Sequence, residues 1–406
     1  MNRRHLLGSL VAILSPQARA LYEPEPMALF RGLPGRWRGS LTYRDWSPPH
    51  GLVSLPCDLF AALNSPSQAS LYFVFQDGPA KVVHSYDRWT VGDVLLATPV
   101  IRSLRRHWPE AAIDMLVFRG TEGVLAGNPD IRRVLTIAER PSASTHLALA
   151  ARLWRRYDLS ISLVPSDRPT AYAWLAGRRS CGLVVNAAKH RWKQWLLDIS
   201  VDYDNSNTHT VNLYLRTLDP LGVQAITEVV AARPDKDMIR IDALLRETGV
   251  AGDFAVMHAS PKFPYKMWTP DGWCEAGRWL QNKGLQLVLT GGPDADERAY
   301  VGAIAAQLPG ALNLAGKASL AETACLLAQA RLYIGPDTAV THLAAAVGTP
   351  TVALFGPTDP AVWAPRGNDV HLISAPAPCP RCPSRGHENW SSLAPASRAW
   401  VSCSGP

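Results

Sequence analysis

Alternation between short β-branched runs and helical segments governs most of this chain, and it is clearest at residues 332–355. Leu332 to Gly335 reads as the end of a buried strand, Thr338 to Val347 as an apolar helix, and Gly348 as the left-handed residue that ends it. Thr351 to Phe355 is β-branched and aromatic, a second strand. Strand, helix, strand is the βαβ unit of a parallel sheet, because parallel neighbours need a crossover connection. In such sheets ligands gather beyond the carboxyl ends of the strands, where the free N–H groups of helix N-termini suit phosphate. Asp337 and Thr338 fall at that junction.

The same rhythm runs back to about Lys81. "AAIDMLVF", "IRRVLTI", "DLSISLVP" and "SCGLVV" read as strands, with "VIRSLRRHW", "THLALAARLWRRY" and "PTAYAWLAG" as helices between them. A second series starts at "FAVMHAS". Its first helix has Thr269 as N-cap, Pro270 at the first helical position and Gly284 as its stop. Ser319 and Glu322 stand at capping-box spacing before "LAETACLLAQA". The expectation is an α/β chain with two doubly wound, Rossmann-like domains, 81–235 and 236–375, facing a cleft. Before them lie a signal-like segment, 1–20, and a β-rich extension, 21–80, in which "RWRGSLTYRDW" and "ASLYFVFQDG" read as isolated strands. After them, 376–406 is an irregular Cys/Pro-rich tail.

With 47% hydrophobic and 18% charged residues the chain buries a full core. The formal charge of +7 suits an anionic small substrate or a phospholipid surface. Without a five-residue basic run or an aromatic RNA motif it does not point to nucleic acid. Seven cysteines give no even disulfide framework and fit buried thiols of a reducing compartment. The start, "MNRRHLLGSLVAILSPQARA", has the layout of an export signal of twin-arginine type, while its alternative is a short amphipathic N-terminus.

Several polar residues stand out against this frame, each with a plainer reading beside it. Gly92-Asp93 follows the candidate strand "KVVHSYD". The carboxylate can take a proton from a hydroxyl at a cleft, or simply cap a helix. Two lysines in "HASPKFPYKMW" sit between strand and helix, where lysine serves as a point charge on phosphates or as an ordinary solvated loop residue. Gly291-Gly292 follow a strand with Glu297 in the next helix; neither the GxxxxGK[ST] loop nor the GxGxxG fingerprint is present. His342, five residues after Asp337, would point about 140 degrees away on a shared helix and reads equally as a satisfied core histidine. Cys379 and Cys382, with His387 and Cys403, have irregular spacing for zinc, and no metal is expected.

"GDVLLATPVIRSLRRHWP", "KMWTPDGW", "TGGPDADER" and "GPDTAVTHLAAAVGTPTVALFGPTDP", in this order, resemble glycosyltransferase family 9, the ADP-heptose:lipopolysaccharide heptosyltransferases, over about residues 81–385. The resemblance implies a GT-B fold with the nucleotide-sugar donor on the C-terminal domain and the acceptor on the N-terminal one. It also implies inversion at the anomeric carbon without metal or other cofactor. Asp93 matches the family's proposed general base and Lys266 the lysine on the donor diphosphate. Glu297 matches the acidic residue near the nucleoside, and Asp337, Thr338 and His342 the donor segment. Ser260 matches a phosphate-side hydroxyl, and Gly92 and Gly291 lie in the matching loops. Ala339 replaces a glycine common in the family. The implied reaction transfers heptose, or a similar sugar, from a nucleotide-diphosphate donor to a lipid-linked glycan such as the lipopolysaccharide core. It would take place on the cytoplasmic side, with peripheral contact to the inner membrane and an uncleaved N-terminus. The alternative is a non-catalytic sugar-nucleotide binder with an exported β-rich module.

Overall fold

The computed structural model describes residues 90–374, apart from 207, 264, 265 and 357, together with the backbone of three earlier strands. The chain divides into two compact units, Met1–His84 and Ser85–Pro406. In the first, β1 (Gly35–Asp45), β2 (Gly51–Ser65) and β3 (Gln68–Phe75) form an antiparallel meander, with Gly39 opposite Cys57 and Cys57 opposite Phe75. The two strands read there from sequence are therefore paired rather than isolated. The strand between them escaped notice because Pro56, which cannot donate to a ladder, interrupts it. "KVVHSYD", the signal-like segment and the Cys/Pro-rich tail with its irregular zinc half-site lie outside the described residues.

In the second unit, α1 (Val91–Leu96) and α2 (Thr98–His107) lead to β4 (Asp114–Phe118) and β5 (Arg133–Ile137). Next come α3 (Ala143–Leu153), β6 (Tyr157–Ser162), α4 (Asp167–Ala176), β7 (Gly177–Val184), α5 (Arg191–Leu196), β8 (Ile199–Asp202) and α6 (Thr210–Leu215). β4 pairs with β5, and β6, β7 and β8 form a separate three-stranded parallel sheet.

The C-terminal half opens with α7 (Asp235–Glu247) and β9 (Phe254–His258), followed by α8 (Pro270–Asn282), β10 (Gln286–Thr290), α9 (Ala295–Ala305) and β11 (Leu312–Asn313). It closes with α10 (Leu320–Gln329), β12 (Leu332–Pro336), α11 (Ala339–Ala346), β13 (Thr351–Phe355), α12 (Pro360–Trp363) and β14 (Val370–Ser374). Its strands form one parallel sheet in the order β11-β10-β9-β12-β13-β14. The order reverses between β9 and β12, which is where doubly wound sheets open a crevice for ligands.

Local chemistry accounts for the helix ends. Thr269 accepts the Gly272 N–H at 3.1 Å. At α10 both halves of the capping box form: Ser319 N–H donates to Glu322 at 2.7 Å, and Glu322 N–H to Ser319 Oγ at 3.2 Å. Helix α11 is shorter than the stretch read from sequence, with Thr338 as its N-cap and Gly348 at φ +88 just past its end.

One apolar core joins the two halves of this unit. Val94, Leu95 and Leu96 of α1 belong to the same buried cluster as Val340, Leu343 and Ala344 of α11. Full burial of a leucine such as Leu95 or Leu343 contributes about 1.5–3 kcal/mol. Tyr333 is fully buried beside Gly335, where a β-carbon would stand 2.1 Å from its hydroxyl. Gly335→Ala is thus expected to destabilise by about 1–3 kcal/mol by overpacking, read as a lowered urea midpoint at unchanged slope. An unchanged midpoint would show that the Tyr333 ring has another place to go.

Candidate active site

Asp337 leaves the end of β12 with its N–H donating to Leu354 O at 3.1 Å on the neighbouring strand. Its carboxylate is buried, 6% exposed, and accepts from Lys266 Nζ at 2.6 Å. His342 Nε2 lies 3.6 Å from the other carboxylate oxygen, just beyond hydrogen-bond distance. The 140-degree separation expected from helical periodicity does not hold, because the helix starts at Ala339 and Asp337 precedes it. Burial pushes the Asp337 carboxyl up, but Lys266 and His342 outweigh it and hold the group well below the ordinary carboxylate range. Lys266 itself is placed by a short turn, its N–H donating to Phe263 O at 2.9 Å, with Nζ 5.8 Å from the centre of the Phe263 ring. Thr338, the N-cap, shares a hydroxyl chain with Thr341 (3.2 Å) and Tyr333 (2.9 Å to Thr341). The first N–H groups of α11 have no intrahelical acceptor and so suit an anion.

Asp93 reaches this cluster from the other half. It stands at N3 of α1, not at the N-cap as the plainer reading had it. Thr90 donates to one carboxylate oxygen twice, from N–H at 2.7 Å and from its hydroxyl at 2.8 Å. Two successive helices follow Thr90: α1 carries Asp93, and Thr98-Pro99 opens α2. Burial raises the Asp93 carboxyl against the opposing pull of Thr90, His342 and Lys266. A raised carboxylate that still sits among cations is a stronger base than a solvated one. Gly92 lies against α11, and a β-carbon there would meet Ala339 Cα at 3.6 Å and His342 Cδ2 at 3.7 Å. His342 is buried, and its Nδ1 has no partner among the described residues.

The remaining residues sit along the same carboxyl edge of the C-terminal sheet. Ser260 follows β9 and is buried; Gly291 follows β10. Glu297 occupies the first turn of α9, whose N-cap Asp294 accepts the Asp296 and Glu297 N–H groups. Its carboxylate lies over Gly292, where a β-carbon would come within 2.4 Å of Oε2, so only glycine lets it rest there. The structure therefore brings together Gly92, Asp93, Lys266, Asp337, Thr338 and His342, with Ser260 and Gly291 just past the ends of β9 and β10 and Glu297 in the first turn of α9. Thr90, which holds the Asp93 carboxylate, went unread, although T-x-x-D ahead of an apolar run is itself a capping signal. Tyr214, buried and with its hydroxyl raised by burial and by the Asp93 charge, gave no sequence signal. His258 is held neutral by burial, at about 4, with Nδ1 3.0 Å from the Thr290 hydroxyl.

A carboxylate raised by burial, a partly buried lysine and a helix N-terminus stand around one crevice, groups suited to accepting a proton and to holding an anion. Residues 173–390 match the model of glycosyltransferase family 9 (heptosyltransferase). Lipopolysaccharide heptosyltransferase 3 of Escherichia coli is 32% identical over 305 residues, covering 69% of this chain and 84% of that protein. The chain belongs to glycosyltransferase family 9. Lipopolysaccharide heptosyltransferase 1 of Pseudomonas aeruginosa is 27% identical, with 72% and 83% covered. Among solved structures, a family 9 glycosyl transferase from Veillonella parvula aligns with a TM-score of 0.63 at 20% identity, covering 70% of this chain and 83% of that one. The E. coli heptosyltransferase WaaC with ADP aligns at 0.59 and 22%, covering 71% and 92%. These last two establish the fold, GT-B, and the family makes the chain a glycosyltransferase.

Proposed function

We propose that this family 9 glycosyltransferase moves heptose, or a closely similar sugar, from an ADP-linked donor to a lipopolysaccharide core or related glycan, with inversion and without a metal. The observation that carries the reading is the meeting of Asp93 with the Lys266–Asp337–His342 cluster at the mouth of the crevice. In this reading the donor lies along the carboxyl edge of β9, β10 and β12, with its diphosphate at Lys266 and the N-terminus of α11, and its nucleoside toward Glu297. Asp93 takes the proton of the acceptor hydroxyl as that oxygen attacks the anomeric carbon from the face opposite the leaving diphosphate. Lys266 and the α11 N–H groups stabilise the charge that builds on the leaving group. Donor binding falls to 236–375 and acceptor binding to 81–235. Nucleotide sugars are cytoplasmic, so the working face is placed there, with loose contact to the inner membrane; no described helix is long and apolar enough to cross a bilayer.

Lys266→Ala is expected to weaken binding of ADP-heptose far more than of adenosine, since a charge-assisted contact to the diphosphate is lost. Calorimetry with both ligands checks this. Equal loss for the two would move the diphosphate away from Lys266.

A further inference from the structure

Helix α5 buries an unexpected side chain. Lys193, 1% exposed, lies inward, where its Nζ is 2.7 Å from Asp167 Oδ1 and also donates to Pro165 O. Its neighbours Trp192 and Trp195, 41% and 78% exposed, stand in water. Burial ordinarily runs the other way, since an ammonium loses its hydration there and an indole gains by leaving water. What holds α5 in this orientation is on its inner side: the Lys193–Asp167 pair, and Leu197, buried with Ala173 of α4 and Val184 of β7. A short helix anchored by a lysine, with two tryptophans turned out, presents an apolar surface of the kind that marks an interaction site.

Charge says what fits it. Residues 143–196, from the start of α3 to the end of α5, hold nine Lys/Arg and two Asp/Glu, an excess equal to the +7 of the whole chain, so the remainder is balanced. Both acids are occupied, Asp167 by Lys193 and Asp158 by Arg178 at 3.7 Å. Helix α4 packs against both α3 and α5, so the three form one layer. Lys189 and Arg191 are exposed beside the two tryptophans of α5, and Arg152, Arg155 and Arg156 are exposed at the end of α3. Trp154, 59% exposed between those arginines, stands edge-on to Trp174 of α4. Tryptophan among Lys and Arg suits the boundary of an anionic bilayer, where indoles sit at headgroup level and cations meet lipid phosphates. A second copy would bring the same positive excess to the contact and be repelled.

We propose that the outer face of α5, Trp192 and Trp195 with Lys189 and Arg191, docks the enzyme on an anionic phospholipid surface. Lys189 follows the carboxyl end of β7, the side on which doubly wound sheets take their ligands. Docking there brings that edge of the acceptor half to the bilayer. The inference rests on the proposed function in one respect, that a lipid-linked acceptor gives the enzyme a bilayer to work at.

The test is cosedimentation of the full chain with vesicles of phosphatidylglycerol and phosphatidylcholine in equal parts, and with vesicles of phosphatidylcholine alone. Neither contains a glycan or a nucleotide sugar, so the outcome does not depend on sugar transfer, and its failure would leave the transferase reading standing. Expected is binding to the anionic vesicles that added salt weakens. Trp192→Ser with Trp195→Ser, and separately Lys189→Glu with Arg191→Glu, should each lower that binding by about tenfold or more. Trp279→Ser, at a tryptophan of α8 that is 58% exposed, should leave it unchanged. The replaced side chains are all exposed, so both double variants should keep the parental urea midpoint. No binding to anionic vesicles, equal binding to phosphatidylcholine alone, or binding unmoved by both double variants would overturn the proposal. A solution dimer of the parent that Trp195→Ser dissociates would give the face to a second copy instead.

Discussion

Asp93→Asn is expected to lower kcat by about 10²–10⁴-fold while leaving donor affinity nearly unchanged, the scale on which a positioned general base contributes. The substitution keeps size and keeps an oxygen to accept from Thr90, so the capping box at the start of α1 survives. What it removes is the basic electron pair. Because burial raises the Asp93 carboxyl, its proton-free form is lost as pH falls through a value above the ordinary 3.8. The parent should show an acid limb in kcat governed by that group, and the variant should lack it. A folded Asp93→Asn protein that turns over at the parental rate would make Asp93 a cap and nothing more.

Asp337→Ala should be the most destabilising single change in the site. It leaves Lys266, 16% exposed, facing a vacated carboxylate position, and breaking a buried pair costs about 3–5 kcal/mol. Replacing both ends with apolar groups, Asp337→Leu with Lys266→Met, should recover much of that loss, because no unpaired charge remains. Denaturant midpoints at constant slope measure the set. The sign with pH follows from the direction of the shift. A carboxyl held below its ordinary 3.8 adds stability that is present above that value and lost as pH falls through the folded one. The gap between parent and Asp337→Ala should therefore close in acid. A loss under about 1 kcal/mol for Asp337→Ala would put the pair in the class of solvated surface ion pairs.

How much could be read beforehand depended on whether the signal was local. β13 was legible to the residue, and α8 and α10 by their caps, because periodicity and N-cap chemistry act within a few positions. The helix α7, which opens the C-terminal half, was passed over: its apolar face is thin, with only Ile241 and Leu245 buried. The candidate site was legible mainly through resemblance. Single residues such as Asp93 and His342 carry no periodic signal, and nothing local says that Gly92 meets α11 or that Lys266 reaches Asp337 across 71 positions. The angle expected between Asp337 and His342 failed on one boundary, since the helix starts at Ala339, two residues beyond Asp337, and so leaves Asp337 outside the 3.6 period. Sheet order in the N-terminal half was not legible at all, because edge pairing is a tertiary fact.

The most direct test of the account is turnover: release of ADP from ADP-heptose by the purified full-length chain, with and without a heptose-accepting lipopolysaccharide core. Release should require both substrates, match the sugar transferred one for one, proceed in the presence of a chelator, and fall by about 10²–10⁴-fold in Asp93→Asn. A folded protein that binds ADP-heptose yet releases no ADP with any core acceptor would contradict it and leave a sugar-nucleotide binder in place of an enzyme.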